Sequence, residues 1–324
     1  MFNKNLLIRF LLSAIFLSAG PALAAQDSTQ VDTKQPSEST PHTDESPKPT
    51  GVDDLITNNS LRALSGSTSK WSIATSFNYN GSTVQTPFSE NRPDISGASG
   101  NTDKTDLDGT INIKYNIDVK NSLLAGFGVR WIAPLSPNGP SNYPGTRYDA
   151  VNPSIAYQYL YKWFGIQSVL QAGMTKWTQA DQTAIGSDYN YGFDQENVYE
   201  IGSTGLSIGA SLAGQYQTFN KTGPYGPYPD IRAIQSLYEF TLSPYLEYQI
   251  TEKINFRTLV SLWNFEHYGT TGATHYVHDT VYQSIGLGFS VTRDIFLYPN
   301  IQFIPDNIAA TDTNIGLTAT INLF

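Results

Sequence analysis

Between Asp106 and Asp118 the chain alternates without a break. Leu107, Gly109, Ile111, Ile113, Tyr115 and Ile117 fall on one side of an extended backbone. Asp106, Asp108, Thr110, Asn112, Lys114, Asn116 and Asp118 fall on the other. A period of two is the repeat of a β-strand, whose successive side chains point to opposite faces. Strands in soluble sheets run to about 5–6 residues. Alternation of this length matches a strand crossing a bilayer at a tilt, which needs about 9–11 residues.

The pattern recurs along residues 70–324. Trp71, Ile73, Thr75, Phe77 and Tyr79 alternate before the Asn80-Gly81 turn signal. Further strands are expected near 122–132, 149–161, 165–177, 190–202, 205–218, 237–250, 253–266, 277–291, 294–304 and 313–324. Short links (118–121, 162–164, 202–205, 251–253, 292–294) alternate with long ones (80–105, 133–148, 178–189, 219–236, 267–276, 305–312). This organisation predicts an all-β, antiparallel transmembrane barrel of about twelve strands, with ten or fourteen allowed by the weak pair at 190–218. Aromatics at 13%, 20 of them tyrosines, against only 15% charged residues fit a surface that meets lipid.

The N-terminal 69 residues read differently. Lys4 and Arg9, the apolar run Leu6–Leu17 and Ala22-Leu23-Ala24 have the form of a secretion signal, residues 1–24, cleaved after Ala24. Residues 25–51 are acidic and rich in Ser, Thr and Pro, with too little apolar surface to offset ordering; they read as a disordered periplasmic tail. Residues 52–69 hold a short helix or linker. Asp53 or Asp54 is its candidate cap, Leu55, Ile56, Leu61 and Leu64 are its apolar positions, and Gly66 is its stop. Its two expected placements are the barrel rim and the lumen, as a plug. The chain has no cysteine, which excludes disulfides, thiol nucleophiles and cysteine metal sites. The net charge of −9 disfavours nucleic acid as a partner.

A signal, a run of alternating strands and a terminal Phe324 together resemble bacterial outer-membrane β-barrel proteins as a class. The resemblance covers residues 70–324 and is architectural. It implies residence in the cell outer membrane, contact with lipid and lipopolysaccharide, and biogenesis through periplasmic chaperones and the barrel-assembly machinery. The terminal residue departs from the usual phase. Leu323, Ile321, Ala319, Leu317 and Ile315 form the apolar stripe, so Phe324 either lies past the strand's end or follows a bulge.

Function in such a barrel resides in the lumen and the loops. The inward charges predicted by the alternation are Asp106, Asp108, Lys114, Arg130, Glu196, Glu200, Glu239, Glu247 and Arg257. Two readings follow. In one, opposed acidic and basic walls form a porin-like channel for passive passage of small polar or charged solutes. In the other, the cations pair with the acids and close the lumen, leaving a surface-binding or envelope-structural protein that acts through loops such as 134–148 and 221–230. A rim hydrolase would require Ser261, Asn264 and His267, or Glu266-His267, or His278-Asp279, to converge in space. Neighbours on a strand point apart, so no enzyme is expected. No catalytic residue, cofactor or metal is assigned; His275 and His278 are expected to be ordinary loop histidines.

Overall fold

The computed structural model describes residues 51–95, 102–136, 147–270, 277–278 and 280–324. The expected signal, residues 1–24, lies outside the described residues, as does all but Gly51 of the expected tail and most of the loops at 137–146 and 271–276. The rest forms twelve antiparallel strands closed into a barrel. They are β1 (Trp71–Thr83), β2 (Asp106–Asn116), β3 (Asn121–Ile132), β4 (Tyr148–Trp163), β5 (Ile166–Lys176), β6 (Ser187–Glu200), β7 (Leu206–Phe219), β8 (Ser236–Thr251), β9 (Ile254–Ser261 continued as Trp263–Tyr268), β10 (Tyr282–Thr292), β11 (Ile295–Phe303) and β12 (Asn314–Leu323). Each strand pairs with its sequence neighbours, and β1 closes the ring on β12, from Ile73↔Leu323 to Tyr79↔Leu317.

The alternation sorts the two faces. Ile113, Leu123, Phe127, Ile155, Ile208 and Leu287 are exposed on the outer wall, while Asn112, Lys114, Ser122, Gln158 and Ser284 are buried inside. Aromatics collect at both ends of the apolar band. Tyr191, Tyr216, Tyr238 and His267 lie side by side on β6 to β9 at the long-loop end. Trp71 with Tyr115 and Trp163 with Phe164 mark the short-turn end. On β8, Tyr238 and Tyr248 are separated by about 33 Å of strand, which a tilt of about 40° reduces to about 25 Å, the height of a lipid-facing band.

Tight turns and close packing explain local choices. In the β2–β3 turn, the Asp118 carboxylate accepts the backbone N–H groups of Lys120 and Asn121, both at 2.8 Å. The Lys120 amide, helped by the Asn121 side chain, holds this carboxyl below the usual range. Gly209 lies beneath the Tyr245 ring, where a Cβ would stand 2.2 Å from the ring. At Gly286 a Cβ would meet the Pro299 carbonyl at 2.1 Å.

The strict period breaks at several places, among them β4 and the C-terminus. At Asn152, with φ of 54°, an extra residue enters β4, and the pairing skips from Gly126↔Ser154 to Gly128↔Val151. The Asn152 carboxamide accepts the Thr178 and Gln179 amides at 3.0 and 3.2 Å, which holds this left-handed bulge. As a consequence Val151, which unbroken alternation from Ile155 would turn to lipid, is buried opposite Gly128. At the C-terminus, β12 ends at Leu323. Phe324 lies past it, with φ of 79°, and its carbonyl accepts the Ser67 hydroxyl.

Residues 52–65 form two helices rather than one: α1 (Val52–Leu55) and α2 (Asn59–Ser65). Asn58, not Asp53 or Asp54, caps the longer one, accepting the Leu61 amide at 3.0 Å; Gly66 stops it at φ of 84°. The Asp54 carboxylate instead accepts the Gly51 amide at 2.9 Å.

An Ile113→Arg substitution, placing a charge in the lipid-facing band, is expected to destabilise the barrel by about 2–4 kcal/mol. Denaturant unfolding in phospholipid vesicles reads this. Gly286→Val, which drives a side chain into a neighbouring carbonyl, is expected to cost about 1–3 kcal/mol in the same assay.

Candidate functional site: the lumen and the segment inside it

The inner wall carries a charge cluster centred on Arg257 of β9. Its guanidinium lies 3.1 Å from Glu196 of β6 and 3.3 Å from Glu247 of β8. It also stacks over the Tyr245 ring at 4.2 Å and lies 5.6 Å from the Tyr298 ring centre. The Glu247 side chain is only 3% exposed. Cations and carboxylates this far from water persist when paired and hydrogen-bonded. Tyr298 extends the cluster, donating to the Arg257 carbonyl at 3.2 Å and lying 3.1 Å from the Ser284 hydroxyl.

Toward the long-loop end, Arg130 of β3 pairs with Asp106 of β2 at 3.2 Å and with Asp181 at 3.3 Å. Asp181 lies on the short helix α3 (Ala180–Ala184). The Asn80 amide bridges Asp106 and Asp108 at 2.9 and 3.1 Å. On the other side, Glu239 accepts Gln215 and pairs across the sheet with Glu266. Asp194 and Glu239 line a cavity of about 250 Å³.

Among the described residues, the β1–β2 loop reaches over this end. Segments 91–93 and 102–104 form a small hairpin within the β1–β2 loop. Arg92 there donates to Gln302 of β11 at 2.7 Å, and Asn314 of β12 donates to the Pro93 carbonyl at 2.9 Å. The loop 221–230, by contrast, is largely exposed, with Tyr225 and Tyr228 bridged to each other. Of the loop 134–148, residues 137–146 lie outside the described residues.

The short-turn end is occupied by α1 and α2, held from every side. Gln167 of β5 accepts the Thr57 and Asn58 amides at 2.7 and 3.0 Å and donates to the Thr57 hydroxyl at 2.7 Å. Thr57 also donates to Glu200 of β6 at 2.7 Å. Glu247 accepts the Asn58 side chain at 2.7 Å and the Ser60 hydroxyl at 3.1 Å, so one carboxylate serves both Arg257 and the helix. At the other end of α2 the last carbonyls are met in turn. Asn322 of β12 donates to Ala63 at 2.8 Å, Gln158 of β4 to Leu64 at 3.2 Å, and Lys114 of β2 to Ser65. Arg293, from the β10–β11 turn, donates to Gly66 at 2.8 Å and pairs with Asp53 at 2.9 Å. A cation at a helix C-terminus is also favoured by the helix dipole. Lys114 is 2% exposed; its second acceptor is the neutral Gln158, at 2.8 Å.

Apolar contacts complete the seat. Leu55, Ile56 and Leu61 pack against Leu160, Val169, Val198 and Tyr245 of the wall. Leu160, Val169 and Val198 stand on the inward, otherwise polar phase of their strands, and this apolar patch is where the helices dock. Burial of a Leu or Ile is worth on the order of 1.5–3 kcal/mol each. Beside the helices a vestibule of about 650 Å³ remains, bordered by Arg62, Glu200, Glu252 and Arg293.

Arg257, Glu196 and Glu247 thus converge, as do Arg130, Asp106 and Asp108, whereas Lys114 and Glu200 join the helical segment instead. Reading the charges alone missed Asp194, Tyr245, Tyr298, Gln158 and Asn322, and placed Glu266 only in a rim-hydrolase candidate. Apolar residues on an inward phase were the available signal for the helix seat.

Among the described residues, Ser261, Asn264 and His267 do not converge, nor do Glu266 and His267. Asn264 pairs with Thr241 on the inner face, and His267 with Tyr238 on the outer face, their rings 6.0 Å apart. Ser261 pairs with Tyr282, on the far side of the break at Leu262. Glu266 and His267 point to opposite faces. His275, the side chain of His278 and Asp279 lie outside the described residues.

No family model and no curated protein matches the sequence. Solved structures give remote likenesses. An outer-membrane channel from Pseudomonas putida F1 aligns at a TM-score of 0.49 and 9% identity, over 80% of this chain and 97% of that one. The porin NanC aligns at 0.40 and 9% identity, over 78% and 98%. OmpF of Salmonella typhi, in complex with daunomycin, aligns at 0.36 and 10% identity, over 78% and 96%.

Arg257→Ala leaves the buried Glu247 and the half-buried Glu196 without their cation and is expected to cost about 3–5 kcal/mol in denaturant unfolding. Neutralising the same acids alongside it, in Arg257→Ala/Glu196→Gln/Glu247→Gln, is expected to recover part of that loss.

Proposed function

We propose that the chain is an outer-membrane channel for passive passage of small polar or charged solutes. The observation that carries this reading is the barrel itself, with an apolar outer band, aromatic ends and a charged, hydrogen-bonding inner wall. Water and polar solutes are tolerated only on the inside of such a wall. In this reading the short turns and the N-terminal segment face the periplasm and the long loops face outward. Lipid and lipopolysaccharide surround the band, and the chain reaches the membrane through periplasmic chaperones and the barrel-assembly machinery.

The ion-paired cluster at Arg257 and the helices in the lumen favour a second reading, a closed barrel acting through loops such as 221–230. Planar-bilayer recording of the purified protein separates the two. The channel reading expects discrete conductance steps in potassium chloride. A folded barrel that shows no step at any voltage, with or without its N-terminal segment, excludes it and leaves the closed barrel.

A further inference from the structure

We infer that residues 52–66 are a detachable gate: a helical latch that seats in the lumen at rest and leaves it when the channel opens. The inference rests on the channel reading and adds how that channel is regulated.

Three observations carry it. The seat is built for this occupant, because the wall departs from polar-inward alternation at Leu160, Val169 and Val198, where Ile56 and Leu61 pack. Those wall residues would face water in an empty lumen, and the seated segment removes that exposure. Second, the segment is held by side chains of the wall and not by membership of the sheet. α1 and α2 contribute no strand to the barrel, and every strand pairing that closes the ring is made without them. Removing the segment therefore breaks no backbone ladder. Third, its bonds are reversible and divided between two ends. Gln167 and Glu247 grip the Asn58 end, and Lys114, Gln158 and Asn322 grip the last carbonyls of α2.

These partners manage without the segment. Glu247 keeps its ion pair with Arg257 when Asn58 and Ser60 leave. Lys114, which has only neutral oxygens as acceptors in the seated form, regains water. Hydration of that ammonium and of the freed carbonyls opposes the apolar gain of docking. The chain continues upstream of Gly51, and a pull on it would draw α1 out first.

The gate is tested with full-length protein and with changes confined to the segment. In planar bilayers, deletion of residues 52–66 is expected to raise single-channel conductance severalfold and to hold the channel open. Asn58→Ala, which removes the helix cap and the bond to Glu247, is expected to raise opening frequency severalfold at unchanged open-state conductance. Equal conductance of parent and deletion protein, both with folded barrels, overturns the gate but not the channel. Silence of both overturns the channel reading and the gate with it.

A second measurement does not depend on the deletion protein folding. The chain has no cysteine, and Leu61 is fully buried. In Leu61→Cys, a charged methanethiosulfonate reagent is expected to label the thiol in the folded barrel and to lock the channel in its larger-conductance state. Labelling only after unfolding, in a protein that still conducts, makes the segment a fixed part of the wall and overturns the gate.

Discussion

The structure depends on one constraint: a backbone in hydrocarbon must satisfy every N–H and C=O within the protein. A sheet achieves this only by closing on itself, because an open edge leaves a row of unpaired groups in a medium that offers no hydrogen bonds. The pairing of β1 with β12 from Ile73↔Leu323 onward completes this ring. Once the ring is closed, the strand period dictates two surfaces of opposite polarity, and the charges of the chain have one place to go.

Inside, the constraint changes from hydrogen bonding to charge balance. A twelve-stranded ring is narrow, so opposite walls approach and ionised groups share little water. Arg257 meets this with two carboxylates and two tyrosine rings, and Arg130 with Asp106 and Asp181. At the short-turn end the same demand is met by a different partner. The Lys114 ammonium and the Gln158 amide satisfy carbonyls of a helix whose C-terminus lacks intrahelical donors. Helix and lumen therefore solve each other's unsatisfied groups, which is why a short helix of only seven residues is ordered there.

How much of this was legible depends on the range of the signal. The strands were readable because the two-residue period is local. Even the faint segment near 190–202 is a full strand, Ser187–Glu200. The inward placement of Arg257, Glu196 and Glu247 follows from the same period. Their convergence does not, since they lie on three strands and meet only through the register of β6 to β9. Val151 shows the limit within a strand. Its phase is reversed by a bulge whose cause, the capping of Thr178 and Gln179 by Asn152, lies some 26 residues away in sequence.

By itself the sequence determined the class of structure, a count of about twelve crossings, the face of most strand residues and the absence of any thiol chemistry, because each of these follows from residue type and a local repeat. Only the tertiary structure decided that α1 and α2 lie in the lumen, that the β1–β2 loop and not 221–230 reaches over the opposite mouth, and which acid each cation meets. Those outcomes depend on contacts between residues far apart in the chain, such as Asn58 with Glu247 and Asn322 with Ala63. Closing the ring brings such pairs together, and no local pattern records the distance across a barrel.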